Sequence, residues 1–408
     1  MDERKNCGGR EIVLSAISHK ESRRLPIDFG ATRATGITLD AYLNLARYLG
    51  VDDIPKVFDM KLSICEIGEG IERFFKPDAI GVFRMIPSLD LSNRTYKVLE
   101  TPNGKAMAPS DFEPKPDGRG GFVLMNSSGV IYAAKPESSP YFDINVYSPL
   151  SEYETIEEMS EFDFDYFKMS DEEVECIAGR CVKAYGTGKS VVLNIWSNVL
   201  ERASAVRGME KFLMDLAVEE GIEEYIMENI LERYLYNFGK ILPRVRNCAD
   251  IIALSDDMGT QKSLIISPEM YRRQIKPRHR RLIEAIKSTT GMKVFFHSCG
   301  AIEPLIGDLI EIGVDIINPV QFVASGMELP HLKETFGKDI TFWGGTCDSQ
   351  HVLPYGTPEE VYDQTSRNVE ILREGGGFVF CPLHNIQHDV PPRNIAALFK
   401  AAGVDLGL

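Results

Sequence analysis

The chain has 408 residues, of which 44% are hydrophobic and 26% are charged, the composition of an ordinary globular protein, which excludes a disordered or fibrous chain. Its 60 acidic residues outnumber its 45 basic residues and give a net charge of −15, so we expect no nucleic-acid partner and no binding to anionic membrane surfaces. No apolar run approaches the about 18 residues that would span a bilayer, and residues 1–10 lead into no apolar signal segment, so we expect a cytoplasmic protein.

The first 78 residues are predicted to form a mostly helical N-terminal extension. Apolar residues recur at helical spacing in segments 11–19 and 40–49. Between them, residues 24–30 form a short extended run followed by a loop rich in glycine and threonine.

Residues 86–150 have a different pattern, which predicts an antiparallel β insertion. Three apolar or alternating runs, at 95–99, 121–125 and 130–134, are separated by the pairs Asn103-Gly104, Asp117-Gly118 and Ser128-Gly129. Such pairs are typical of tight hairpin loops.

From residue 151 to 408 the pattern repeats as strand, loop and helix. The candidate buried strands are 191–196, 251–255, 293–297, 315–318, 340–343 and 377–381. One following helix should begin at Pro268 with Ser267 as its N-cap, and another should run from Pro358 with Thr357 and Glu360 as a capping box. With residues 79–83 the count is seven strands. We therefore predict a single α/β domain, a TIM (β/α)8 barrel whose eighth strand is hidden.

Polar residues follow the predicted strand ends, where TIM barrels carry their active sites. The sharpest group is His297-Ser298-Cys299, in which positions i and i+2 point the same way, together with Cys381 at the end of a later strand. One imidazole and two thiolates form a soft ligand set that suits Zn²⁺ with a fourth position open. The alternative is that both cysteines are small buried residues and His297 is a histidine of the core.

Further strand-end residues complete the predicted site. Asp257 is a candidate general base, although its neighbour Asp256 is as plausible, and one of the two is expected to cap a turn. His384 lies in a proline-flanked loop that favours a hydrogen-bonding role over an i,i+4 metal pair with His388. The residues assigned to catalysis are Asp257, His384 and Gln321. Those assigned to substrate binding are Asn194, Trp196, Gln261 and Asn318.

The other cysteines show no framework spacing, so we expect no disulfides. Cys347 is predicted to be a small loop residue near the site. The remaining five are predicted to be structural: Cys7, Cys65, Cys176, Cys181 and Cys248.

Several of these segments resemble the uroporphyrinogen decarboxylase superfamily. The resemblance lies in segments 295–300, 313–321, 343–345, 375–378 and 384–387, with weaker support from 256–259, 267–269 and 391–395. It covers roughly residues 180–403 and implies a TIM barrel. One branch decarboxylates a tetrapyrrole and carries an arginine-rich N-terminal motif, from which residues 23–30 depart.

Another branch contains zinc-dependent methyltransferases that exchange methyl groups with a corrinoid protein. The resemblance to that branch implies that His297, Cys299 and Cys381 hold Zn²⁺ and that a corrinoid-binding protein docks at the barrel mouth. It further implies demethylation of a methoxylated aromatic or another small methyl donor. The β insertion would shape the mouth or serve contacts in a homodimer. Two alternatives stay open: a metal-free decarboxylase of a different acid, and a non-catalytic tetrapyrrole-binding barrel.

Overall fold

The computed structural model describes residues 8–86, 88–144 and 146–407, so Cys7 lies outside the described residues. The strands, in chain order, are β1 Ile37–Thr38, β2 Val57–Asp59, β3 Ile64–Cys65, β4 Ala79–Phe83, β5 Tyr96–Thr101, β6 Gly104–Pro109, β7 Lys115–Pro116, β8 Phe122–Met125, β9 Ile131–Lys135, β10 Ser190–Asn194, β11 Ile251–Ser255, β12 Lys293–His297, β13 Ile316–Asn318, β14 Thr341–Trp343 and β15 Phe378–Val379.

The α-helices, in the same order, are α1 Gly9–Ala16, α2 Leu39–Leu49, α3 Glu69–Phe75, α4 Ile156–Met159, α5 Asp171–Tyr185, α6 Leu200–Arg207, α7 Met209–Val218, α8 Ile222–Val245, α9 Pro268–Met270, α10 Lys276–Thr289, α11 Glu303–Glu311, α12 Leu329–Phe336, α13 Val352–Tyr355, α14 Pro358–Arg373 and α15 Pro392–Ala401. Among the described residues, no helix combines the length and the apolar composition needed to cross a bilayer.

Seven of the described strands form one parallel sheet, in the spatial order β15-β14-β13-β12-β11-β10-β4. Sequential strands are therefore neighbours, and helices connect them, as in a TIM-type α/β fold. In the register, His297 at the end of β12 lies beside Ser255 of β11 and Asn318 of β13. The polar strand ends consequently meet at the carboxyl edge of the sheet.

Residues 26–28 provide the missing eighth strand position. Ile27 forms a parallel bridge with Phe380 just beyond β15. On that side, Asp28 N–H donates to the Phe380 carbonyl at 2.8 Å and Phe380 N–H donates to the Pro26 carbonyl at 3.0 Å. On the other side, Asp78 N–H donates to the Ile27 carbonyl at 2.7 Å, directly before β4. This segment links the two edge strands and closes the sheet.

The barrel strands are buried on both faces, and their side chains alternate between two cores. Phe295, Trp343 and Val379 point into the barrel, where they form one apolar cluster. Their neighbours Phe296 and Phe378 face outward and belong to the larger core under the helices. This two-sided burial explains why the strands have continuous apolar sequences rather than alternating ones.

The predicted elements agree with the structure to within a few residues. Strands β4, β11 and β12 have the predicted bounds, and the caps at Ser267 and Thr357 are present. Between the helices of the N-terminal segment lies a three-stranded antiparallel sheet, β1-β3-β2, that the helical periodicity did not predict. In the insertion, β6 pairs with β5 and was also missed.

The β insertion packs against the N-terminal sheet and reaches the barrel mouth. Met107 N–H donates to the Pro55 carbonyl at 2.8 Å, and Phe142 N–H donates to the Lys61 carbonyl at 3.1 Å. The Tyr141 hydroxyl donates to Oε1 of Gln387, in the loop that follows the last barrel strand. The insertion therefore covers part of the carboxyl edge of the barrel.

Candidate functional site

Three potential metal ligands converge at the carboxyl edge of the barrel. The ligand atoms of His297, Cys299 and His384 all lie within 4.8 Å of one another. Sγ of Cys299 is 3.5 Å from Nε2 of His297. The inward direction of His297 follows from strand β12, because Phe295 two residues earlier also points into the barrel.

An asparagine side chain holds each imidazole through its Nδ1 atom. Oδ1 of Asn318 lies 2.7 Å from Nδ1 of His297, and Oδ1 of Asn385 lies 2.8 Å from Nδ1 of His384. An amide oxygen accepts a hydrogen bond and cannot donate one, so both Nδ1 atoms carry hydrogen and both Nε2 atoms keep a free lone pair. This is the tautomer that a metal-binding imidazole requires.

The electrostatics of the three side chains suit a bound cation. Burial lowers the pKa of His297 to about 4 and also lowers the pKa of His384, so both rings are neutral at pH 7. Burial, together with the carboxylates of Asp257 and Glu201, raises the pKa of the Cys299 thiol. Two neutral imidazoles, one thiol and a nearby carboxylate form a donor set that fits Zn²⁺.

Cys381, which the sequence pattern grouped with His297 and Cys299, is not among the three residues whose ligand atoms lie within 4.8 Å of one another. Its side chain is fully buried in the barrel interior beside Val379 and Trp343, and its Sγ contacts the Pro382 carbonyl oxygen at 3.1 Å. Cys381 continues the inward-facing positions of the last strand. The turn at Pro382 then brings His384 over the mouth, so the structure groups His384, rather than Cys381, with His297 and Cys299.

Asp257 and Gln321 both hold the backbone of the loop that follows β12. Oδ1 of Asp257 accepts from Cys299 N–H at 2.8 Å and lies 3.9 Å from Nε2 of His297. Oε1 of Gln321 accepts from Gly300 N–H at 2.7 Å. Gly300 has φ +88°, and a Cβ there would lie 2.4 Å from the backbone of Gly259, so glycine is required. These contacts fix the position of Cys299.

The carboxylate of Asp256 has a structural role. It accepts from the N–H groups of Val199, Leu200 and Glu201, at 2.7 to 2.9 Å, at the start of helix α6. Nε2 of His279 lies 3.0 Å from the same carboxylate. Of the two adjacent aspartates, Asp256 therefore caps a helix, while Asp257 faces the three candidate ligands.

Trp196 and Asn194 lie on the opposite side of His297 from the cleft. The Trp196 ring meets the His297 ring edge-on, with centroids 5.6 Å apart, and the Arg33 guanidinium lies 4.7 Å from the centre of the indole. Trp196 has φ +50°, a conformation that is unusual for a bulky residue and is often found at functional sites. Asn194 is buried, and its Nδ2 donates to the Ala31 carbonyl at 2.9 Å.

An open cleft of about 490 Å³ lies over Cys299 and His384. Gln261 and Gln321 line it from the barrel loops, and Tyr141 lines it from the β insertion. Asn318 lies below, where it contacts His297. Among the residues assigned to substrate binding, only Gln261 therefore lines this cleft, whereas Asn194 and Trp196 line a second cavity of about 430 Å³ on the other side.

Three residues of this region were not singled out from the sequence. Arg33 sits in the loop after the closing segment, Tyr141 lies in the insertion, and Glu201 begins a helix whose cap comes from another strand. Burial and the carboxylates of Asp257 and Asp256 raise the pKa of Glu201 to about 7. None of the three belongs to a local motif, although the charged residue in the conspicuous Thr-Arg-Ala-Thr-Gly loop gave a weak signal for Arg33.

Comparison with known proteins agrees with this architecture. Residues 207–403 match the family "Uroporphyrinogen decarboxylase (URO-D)". A methyltransferase from Methanosarcina mazei has a similar solved structure, with a TM-score of 0.56 and 14% identity over 98% of this chain and 99% of that chain. At this identity the likeness shows the fold alone.

A second relative is similar in sequence. The "Methylated-thiol--coenzyme M methyltransferase" of Methanosarcina mazei is 28% identical over 153 residues. The aligned segment spans 38% of this chain and 37% of that protein. The match therefore covers little more than a third of either protein.

Proposed function

Because residues 207–403 match the URO-D family, we propose that this protein is a zinc-dependent methyltransferase that moves a methyl group from a small methyl donor to a corrinoid carried by a separate protein. The observation that carries the proposal is the convergence of His297, Cys299 and His384 at the barrel mouth. A relative that is similar in sequence over part of the chain is a methyltransferase, which supports the same reaction class.

The side chains at the barrel mouth would have two different roles in metal binding. Nε2 of His297, Sγ of Cys299 and Nε2 of His384 would hold Zn²⁺, while Asn318 and Asn385 fix the two imidazole rings. Bound zinc supplies a Lewis acid, which makes an ether oxygen a better leaving group or keeps a thiol as its reactive anion. A fourth position would stay open for the substrate.

Glu201 is the acid that we assign to the leaving group. Its carboxyl group is buried near Asp257, and the pKa of about 7 leaves it partly protonated at neutral pH. When a methyl carbon leaves an oxygen atom, the bonding electrons stay on that oxygen, which then takes a proton. A carboxylic acid whose pKa is close to the working pH is suited to that transfer.

The open cleft is the side at which we place the partner. It is bounded by Tyr141 of the insertion and by His384, and it exposes the candidate metal ligands to solvent. A planar corrinoid brought by another protein could approach there, while the donor enters from the cavity behind Trp196. A possible homodimer would use other surfaces.

The test combines metal analysis with a transfer assay. Protein expressed with zinc should contain about one equivalent, and a chelator should remove both the zinc and the transfer of methyl groups from methoxylated aromatics to reduced cobalamin. Readdition of zinc should restore the transfer. Turnover that is insensitive to the chelator, with release of carbon dioxide from an acid substrate, would instead establish the metal-free decarboxylase.

A further inference from the structure

A second cavity, which we call the inner cavity, lies behind Trp196 and encloses about 430 Å³. The N-terminal loop, the end of β4, the insertion and helices α5 and α6 all contribute to its wall. Its aromatic lining residues are Phe58, Phe83, Tyr166, Phe167 and Trp196. A partly open pocket of this size with aromatic walls is typical of a small-molecule site.

Most charged groups of the inner cavity have partners. Arg84 forms a two-pronged ion pair with Glu173, with both contacts at 3.0 Å. The hydroxyl of Tyr166 donates to Asp90, and Lys168 pairs with Asp165 at 2.7 Å. The two ion pairs neutralise their charges, whereas Asp90 keeps its negative charge because the Tyr166 hydroxyl is neutral.

Two cations of the inner cavity are left over. Lys61 forms no ion pair with any carboxylate of the described residues, and burial lowers its pKa, with Arg33 acting in the same direction. Arg202 packs over the Phe167 ring at 5.3 Å and hydrogen-bonds the Tyr234 hydroxyl, but it forms no ion pair with a carboxylate of the described residues, and its Nε–H is buried without an acceptor. The opposing carboxyl groups are Asp59, which lies 3.6 Å from Arg33, Asp90, which accepts from Tyr166, and Glu201, whose raised pKa reduces its charge at neutral pH.

Unpaired donors strengthen the case for a ligand with acceptor atoms. The indole N–H of Trp196 is also buried without a partner among the described residues. A buried donor without an acceptor costs about 1 to 3 kcal/mol, and native proteins contain few of them. Two such donors and an ammonium group without a carboxylate partner suit a ligand with acceptor atoms, although Oδ2 of Asp59 and Oδ1 of Asn194 are buried acceptors without hydrogen-bond partners in the same cavity.

We propose that the inner cavity binds an aromatic carboxylate, with its carboxylate between Lys61 and Arg202 and its ring against Trp196. Because the Trp196 ring touches the His297 ring, the far end of such a molecule would point to the group His297, Cys299 and His384. The identity of the transferred group rests on the proposed function, whereas the binding of the carboxylate does not.

Tryptophan fluorescence provides a direct binding assay. The chain has two tryptophans, and Trp343 is fully buried among apolar side chains of the barrel, so quenching by a ligand in the inner cavity reports on Trp196. Titration with benzoate should quench the emission, and the isosteric neutral amide benzamide should bind at least about ten times more weakly. The Trp196→Phe variant should lose the signal while calorimetry still detects binding.

Two lysine variants distinguish binding of benzoate at a specific site from attraction by positive charge in general. Lys61→Met should weaken benzoate binding at least about tenfold. The control Lys56→Met removes a lysine that pairs with Glu66 outside the cavity and should bind benzoate as the wild type does. Equal affinity for benzoate and benzamide, or unchanged benzoate binding in Lys61→Met, would overturn the proposal.

The same assay tests the cavity proposal independently of the proposed function. A His384→Ala variant should lose zinc but still bind benzoate. Benzoate binding in a protein that takes up no zinc would leave the cavity proposal standing and remove the metal-dependent function. Zinc uptake without benzoate binding would leave the metal-dependent function standing and overturn the cavity proposal.

Discussion

Asn318 accepts a 2.7 Å hydrogen bond from Nδ1 of His297 and donates from Nδ2 to the carbonyl oxygen of Trp343 at 2.8 Å. The backbone carbonyl fixes which way the amide faces, because only the NH₂ group can donate to it. The amide oxygen therefore faces His297 and selects its Nδ1–H tautomer. Asn318 on β13 thus orients the ring of His297, a candidate metal ligand on the neighbouring strand β12.

Replacing Asn318 should weaken metal binding without removing a ligand. In Asn318→Ala, the His297 ring loses its orientation and its fixed tautomer, so we expect zinc affinity to fall by about 10- to 100-fold. Competition with a chromophoric chelator measures the change. Asn318→Asp keeps an acceptor at the same place and should retain more affinity than the alanine variant; equal loss in both would argue against an orienting role.

The third metal ligand can be identified by comparing two variants. Cys381→Ala removes a thiol inside the barrel and should keep about one equivalent of zinc. His384→Ala removes a side chain of the converging group and should reduce zinc content to less than about half an equivalent. Loss of zinc in Cys381→Ala with retention in His384→Ala would restore the ligand set that the sequence pattern suggested.

Substitutions of the adjacent residues Asp256 and Asp257 should differ in their effect on the stability of the protein. Asp256→Ala leaves three helix N–H groups and His279 without their acceptor in the interior, so we expect a loss of about 3 to 5 kcal/mol in the free energy of unfolding. Asp257 has a side chain that is 41% exposed, and Asp257→Ala should cost less than about 1 kcal/mol. Urea unfolding followed by circular dichroism measures both changes, and equal losses would contradict these roles.

Asp28 should make stability depend on pH. Burial raises its pKa from 3.8 to about 6, although Ala31 N–H and the Trp343 indole donate to it. The folded state therefore binds the proton more tightly than the unfolded chain does. The stability that this proton contributes is full below about pH 4 and is lost as the pH rises through 6.

The shift of about two pKa units corresponds to roughly 3 kcal/mol. The difference in unfolding free energy between wild type and Asp28→Asn should therefore decline by up to that amount between pH 4 and 7. Urea unfolding at a series of pH values measures it. A difference that is constant with pH, or that grows as the pH rises, would refute the assignment.

Sequence periodicity predicted the barrel strands well, because strands buried on both faces have short apolar runs with clear ends. The closing segment around Ile27 escaped identification as a strand, since it pairs with Phe380 at a distant position in the chain and has little pattern of its own. The pair β5 and β6 was half predicted, because Gly104 to Pro109 mixes small and polar residues.

The candidate site was predicted in part. His297 and Cys299 follow a clear strand, so their direction could be deduced from strand geometry. The choice between Cys381 and His384 depends on where the last strand ends and how the chain turns at Pro382, which local sequence does not determine. Arg33, Lys61 and Glu201 come together only through tertiary contacts, so spacing could not reveal the inner cavity.

The closing segment also bears on how the chain folds. The Trp343 indole donates to Asp28 across 315 residues of sequence, and the bridge from Ile27 to Phe380 is longer still. During synthesis, residues 26–28 leave the ribosome long before Phe380, one of their two pairing partners. Until then the closing segment has one unpaired edge, so we expect barrel closure to be a late folding step that a chaperone could protect.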